Sequence, residues 1–247
     1  MANTYYSIVV IYGINYQSLY QMKRIDDFKY TYLKINKTSL LSILEILLVL
    51  SGISIFAWFI HGERLSFWIA IGGLMMTSII ISFAILRSAN LLSLLGLDSL
   101  KRRIIIISIR GIVIAIILAA LIRKITGLSL FPFPLTFVAV ISPVIGATEE
   151  LIFRGFIQGN LKTSGIFLSI FLAAAGHSLY KYLVLRSLPV DVGIDFGWLV
   201  LSTFMLGLIL GASREISGSV IPAMTWHVVF DIIFYGDFTE MPVWVWS

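Results

Sequence analysis

Long apolar runs constrain this chain before any other feature does. About seven stretches, at 40–60, 67–86, 104–122, 135–157, 166–185, 198–212 and 217–235, follow one another with polar connections. Most approach the ~20 residues that a helix needs to cross the hydrocarbon of a bilayer. A backbone in lipid has no water to bond with, so each run is read as a helix that satisfies its own N–H and C=O groups. The expectation is an all-α, polytopic transmembrane helix bundle of about seven spans, within a range of six to eight. Composition agrees: 59% of the 247 residues are hydrophobic and 13% are charged. A water-soluble domain carries about 25% charged residues, enough to cover its surface.

The runs divide the chain. Residues 1–37 read as an N-terminal cytoplasmic arm, 38–130 as N-terminal transmembrane helices, 131–236 as the helix bundle that carries the chemistry, and 237–247 as a tail. The apolar stretch 91–97 is too short to span and is expected at the membrane interface. The stretch 7–14 is short and has no basic residues before it, unlike a cleavable signal. There is no cysteine, which excludes disulfides, Cys-ligated zinc and a thiol nucleophile. No internal repeat or low-complexity segment is visible.

The net charge of +5 does not point to nucleic acid, because the basic residues flank the spans and so report orientation. With the N-terminus cytoplasmic, about twelve lysines and arginines fall inside and five outside, with Arg110 within the third span. The inner set includes Arg102, Arg103, Arg154, Lys162 and Arg214; the outer set includes Arg123, Lys124, Lys181 and Arg186. The expected location is the cell membrane, with the site opening toward the cytoplasm. Trp58, Trp68, Trp198, Trp244 and Trp246 lie near span ends, as an aromatic belt would.

An ionisable side chain within a span costs about 2.5–3.5 kcal/mol on insertion scales, so it persists when paired, hydrated or useful. The first three spans hold only Glu45 and Arg110; the last four hold Glu149, Glu150, Arg154, His177, Lys181, His227 and Asp231. The active site is therefore expected in the C-terminal four helices. Glu150 and Arg154 are four apart and share a helix face, while Glu149 is rotated about 100° away. Pro143 is expected to loosen that helix before the pair. His177 follows the small residues 173–176, which permit close helix approach. His227 and Asp231 again share a face. Lys181 is read as reaching outward along the apolar surface. Each group alone is compatible with a structural pair or a packing histidine. Three spans each placing acid, base or orienting groups in hydrocarbon argue for one shared polar site.

The stretch Glu149-Glu150-Leu151-Ile152-Phe153-Arg154 resembles the EExxxR motif of the CPBP family, the CAAX-processing and bacteriocin-processing membrane proteases also called Abi or Rce1-like. His177 resembles the histidine of the family's second motif, and the run from Gly207 to His227 and Asp231 its third. The resemblance covers about 132–234. Two positions depart from it: Ala173 stands where the second motif has phenylalanine, and Asp231 stands where eukaryotic members tend to have asparagine.

The resemblance implies hydrolysis of a peptide bond in a membrane-embedded or lipid-anchored protein or peptide, prenylated or bacteriocin-like. Glu149 and His177 would activate water, with either glutamate able to serve as base. His227 would stabilise the oxyanion with Asp231 behind it, and Glu150 and Arg154 would brace the site. No cofactor is favoured; a zinc form would use Glu149, His177 and His227. Neither GxSxG nor HExxH occurs, which disfavours serine and HExxH-type zinc chemistry. Two other readings compete: a proton-coupled transporter, which also needs buried Glu and His, and a non-catalytic immunity or scaffold protein. The missing repeat counts against the transporter, and the complete polar set counts against the scaffold.

Overall fold

The computed structural model describes residues 43–56, 95–97, 102–186 and 195–239, together with Leu40, Met75 and Ile79. The chain divides into two compact units, Met1–Ser42 and Ile43–Ser247, and the fold that follows is that of the second. Among the described residues every regular element is helical. α1 is Ile43–Phe56. It is followed by α2 (Arg102–Ile125), α3 (Val138–Glu150), α4 (Ile166–Arg186), α5 (Phe196–Ser217) and α6 (Ile221–Tyr235). The helices α2, α4 and α5 are long and apolar enough to cross a membrane, while α1 and α6 are shorter apolar helices.

The outer surface explains where such a bundle lives. Ile105, Ile109, Val113 and Ile117 repeat every four residues along α2 and are all exposed, as are Phe167 on α4 and Leu201, Met205 and Ile209 on α5. Stripes of this size facing water would be an aggregation liability; facing acyl chains they are ordinary solvent contacts. The protein is a helical integral membrane protein. The predicted span 67–86 lies outside the described residues except at Met75 and Ile79, as do the arm 1–37 and residues 240–247.

Two span boundaries differ from the expectation. The run 198–212 becomes the 22-residue helix α5. The Asp195 carboxylate caps its start by accepting from the N–H groups of Gly197 and Trp198, satisfying donors that the first turn leaves orphaned. At the other end the helix carries Arg214 and Glu215, which pair with each other in the protein interior. Gly218 then closes α5 in the left-handed conformation, at φ 75°. The following helix consequently starts at Ile221 rather than 217, with Pro222 in its first turn, where a missing N–H costs little.

The run 135–157 is the second case. Helix α3 contains Pro143 and continues past Glu150 into a π-helical segment, Leu151–Ile157, and a further turn, Gln158–Leu161. The altered backbone register therefore falls directly after the Glu149–Glu150 pair, whereas Pro143 was expected to loosen the helix before it. Arg154 also lies farther from the end of the helical run than the boundary at 157 implies. Helical structure runs seven residues beyond it, about 10 Å at 1.5 Å per residue.

Helix α6 packs mainly against α2 and α3, and α4 against α5. Phe153, Phe156 and Ile157 of the π segment join Ile46, Val49 and Ile53 of α1 and Tyr180 and Val184 of α4 in one apolar cluster. The described part of 91–97 packs against the connection between α5 and α6. The Leu95 carbonyl accepts from Val220 N–H at 3.0 Å. Gly96 sits so close to the Gly218 carbonyl that an added Cβ would lie 1.8 Å from it. At the far ends of α2 and α6, Arg123 is fully buried and binds both carboxylate oxygens of Asp237, at 2.9 and 2.7 Å, and the carbonyls of Ser129 and Phe234.

Candidate active site

Three elements deliver the polar groups. The end of α3 and the π segment carry Glu149, Glu150 and Arg154, α4 carries His177 and Lys181, and α6 carries His227 and Asp231. All six residues predicted for the site converge here. Glu149, Glu150, Arg154, His177 and Asp231 are buried. The His227 side chain keeps 18% of its surface exposed.

Arg154 links two of the three elements. Its Nη1 donates to Glu150 Oε1 at 3.0 Å and lies 2.7 Å from Nδ1 of His177. A guanidinium has donors only, so Nδ1 of His177 must accept. The proton of a neutral His177 is then on Nε2, the nitrogen that faces Glu149 Oε2 at 3.4 Å. Phe153 stacks on the same ring, with centroids 4.5 Å apart and planes 24° from parallel. The ring is thus fixed in tautomer and in orientation.

Glu150 links the third element. Its Oε1 also lies 3.0 Å from Nδ1 of His227. A carboxylate accepts only, so Nδ1 of His227 carries a proton. The opposite nitrogen, Nε2, lies 3.7 Å from Asp231 Oδ1 and 3.9 Å from Glu149 Oε2. Both separations exceed a hydrogen bond. Nε2 of His227 is therefore not committed to either carboxylate.

Glu149 is anchored from α4. The Lys181 ammonium donates to both of its oxygens, at 2.8 and 2.9 Å, with both side chains buried. This overturns the outward reading of Lys181. Its position one turn after His177 places it on the same face of α4, pointing inward, and the buried carboxylate holds it there. The signal was present in the four-residue spacing from His177, but the segment's apolar flanks suggested a surface lysine.

Glycines make the approach possible. A Cβ at Gly146 would lie 2.6 Å from Asp231 Oδ2 and 2.9 Å from His227 Cδ2, so α6 can bring its pair onto α3 only because position 146 has no side chain. On α5, a Cβ at Gly207 would meet Arg154 Nη2 at 3.0 Å, and one at Gly211 would meet Gln158 Oε1 at 3.1 Å. Gln158 is fully buried and donates to the Gly211 carbonyl and to Glu215. Sequence reasoning missed Gln158 and Phe153; neither belongs to a charged pattern.

The zinc alternative can be tested on the donors. In this arrangement His177 offers Nδ1 to Arg154 and carries its proton on Nε2, so it has no lone pair left for a metal. The Lys181 ammonium sits on both oxygens of a second proposed ligand, Glu149. Among the described residues no group of three or more His, Asp or Glu side chains is spaced to hold a metal ion. The residues do not fit zinc.

The fold and site together define a helical membrane protein with a carboxylate–imidazole centre buried among its spans, an arrangement consistent with a glutamate-type protease. Residues 129–233, which span α3 and most of α6, match the family described as Type II CAAX prenyl endopeptidase Rce1-like. That family suggests an intramembrane protease. No curated protein and no solved structure matches the chain.

Proposed function

We propose that the chain is an intramembrane endopeptidase that hydrolyses a peptide bond of a membrane-embedded or lipid-anchored substrate with water activated by Glu149. The observation that carries this reading is the position of Glu149 Oε2. It faces Nε2 of His177 at 3.4 Å and Nε2 of His227 at 3.9 Å, on two different helices. A water bound to Oε2 would lie between an acceptor and two imidazoles, which is the geometry that general-base attack on a carbonyl needs.

The tautomers assign the parts. Glu149 takes the proton from water. Lys181 occupies one lone pair on each oxygen, and a carboxylate has about four such sites, so Oε2 keeps one for water. His177 was expected to share the base role. With Nδ1 accepting from Arg154, it instead donates its Nε2–H and positions the water oxygen. His227 can donate from Nδ1 to Glu150 while a second proton on Nε2 faces the substrate carbonyl. Asp231 and Glu150 flank the ring and can carry its charge when it stabilises the oxyanion. The water oxygen bonds to the carbonyl carbon, and Glu149 passes the proton to the leaving nitrogen as the C–N bond breaks. A carboxylic acid and an amine result.

The substrate class and topology are part of the same proposal. The name of the matching family favours a prenylated peptide. The bias of basic residues favours a cytoplasmic N-terminus and a site opening on that side. Arg154 and Arg214 on one side and Arg123 and Lys181 on the other are buried, so two residues drop from each side and the bias stands. Substrate trapping with Glu149→Gln in native membranes, followed by mass spectrometry, tests the reading. A lipid-anchored peptide retained by the variant and absent from wild type supports it; an identical set from both contradicts it.

A further inference from the structure

Three carboxylates meet in the site: Glu149, Glu150 and Asp231, all buried. Arg154 does not serve all of them. Its contacts go to Glu150 and His177, and its Nε and Nη2 make no hydrogen bond. Among the described residues, Lys181 is the one cation in hydrogen-bond contact with Glu149. Without it, three carboxylates in hydrocarbon would face a single guanidinium and two histidines. Buried charge of that kind is tolerated only when paired.

We propose that Lys181 is a positioning residue of the site: it holds the Glu149 carboxylate through both oxygens and supplies the charge that offsets Asp231. The geometry gives it both tasks. A two-point contact fixes the rotation of the carboxylate, which a single hydrogen bond would not, and this aims Oε2 at the histidines of α4 and α6. The charge balance follows from the same placement. Asp231 Oδ1 and the Oε2 of the Glu149 carboxylate that Lys181 holds lie 3.7 and 3.9 Å from the same nitrogen, Nε2 of His227, so the two carboxylates share one small space. Removing the lysine leaves one negative charge too many; removing Asp231 as well restores the balance. Packing alone predicts no such compensation, because Asp231 makes no hydrogen bond to Lys181 among those observed.

This assignment rests on the protease reading for its catalytic meaning, but its test does not depend on cleavage. Infrared spectra of the purified protein in lipid at neutral pH report whether a buried carboxyl is protonated. Wild type and Lys181→Arg are expected to show no carboxylic-acid C=O band from the site. Lys181→Met is expected to show one, as a proton from solvent replaces the missing cation. The band should vanish when either Glu149→Gln or Asp231→Asn is added. In a cleavage assay with a fluorogenic prenylated peptide in proteoliposomes, Lys181→Met should lower kcat about 100-fold at similar KM. Should Lys181→Met fail to accumulate, recovery of folded protein on adding Asp231→Asn is the same compensation read as yield. No acid band in Lys181→Met, or a band indifferent to both added substitutions, overturns the proposal. No cleavage by wild type with the infrared pattern intact instead overturns the protease reading, full cleavage by Glu149→Gln overturns the base role of Glu149, and both leave the charge pairing standing.

Discussion

Arg154 donates to Nδ1 of His177 across 2.7 Å, and that one contact decides which nitrogen of the ring faces Glu149. The same guanidinium nitrogen binds Glu150 Oε1 at 3.0 Å, and Glu150 in turn holds Nδ1 of His227. Both histidines therefore owe their orientation to a pair that never needs to touch substrate. The two Arg154 contacts offset the cost of placing an arginine in a membrane interior.

Arg154→Lys tests that link. A lysine is a point donor on a flexible stem and cannot present the planar fork that serves Glu150 and His177 together. Cleavage should fall about 100-fold, equivalent to ~2.7 kcal/mol of transition-state stabilisation. Size-exclusion elution should be unchanged. Activity within threefold of wild type would show that the fork is unnecessary.

Gly146→Ala adds a methyl group where Asp231 and His227 approach within 3 Å. Under 3 Å something must move, and the atoms in the way are the side-chain ends of Asp231 and His227. The expected result is a folded protein with cleavage reduced at least about tenfold, since a 1 Å displacement of catalytic groups is expensive. Wild-type kinetics would mean that the approach of α6 is looser than the geometry indicates.

The Arg123–Asp237 pair gives a pH prediction away from the site. The hydrogen bond from Arg123 holds the Asp237 carboxyl below its ordinary value. A lowered folded value means that the stabilisation is present above the unfolded value of about 3.9 and is lost as pH falls through the folded one. Asp237→Asn should cost about 1–2 kcal/mol at neutral pH, discounted because Asp237 is partly exposed. The gap in thermal midpoint between wild type and variant should close below about pH 4. A gap that persists at low pH would assign the effect to something other than the carboxylate.

Chelation provides an independent check. The donor set leaves no lone pair on His177 for a metal, so dialysis against a strong chelator should leave the cleavage rate within about twofold of the untreated protein. Loss of activity restored by zinc alone would require His177 to turn away from Arg154.

Much of the fold and most of the site could be read from the sequence, for a common reason. In lipid, apolar runs must be helical and charges within them stand out, so α2, α4 and the cluster of Glu149, Glu150, Arg154, His177, His227 and Asp231 are conspicuous. What escaped was whatever the apolar pattern disguises. The inward direction of Lys181 depends on tertiary pairing with Glu149. The end of α5 carries Arg214 and Glu215, a charged pair beyond the apolar run. The π segment Leu151–Ile157 has an ordinary helical composition, and only packing against α4 and α5 distinguishes it. The neutral residues that shape the site, Gly146, Phe153 and Gln158, carry no charge signal at all.

On the proposed mechanism Glu149 is the proton acceptor for the attacking water. The most direct measurement is single-turnover cleavage of a fluorogenic prenylated peptide by Glu149→Gln in proteoliposomes, beside wild type. The rate of bond cleavage should fall at least about 1,000-fold, ~4 kcal/mol, with peptide binding retained. Cleavage at the wild-type rate by the glutamine variant would contradict that role.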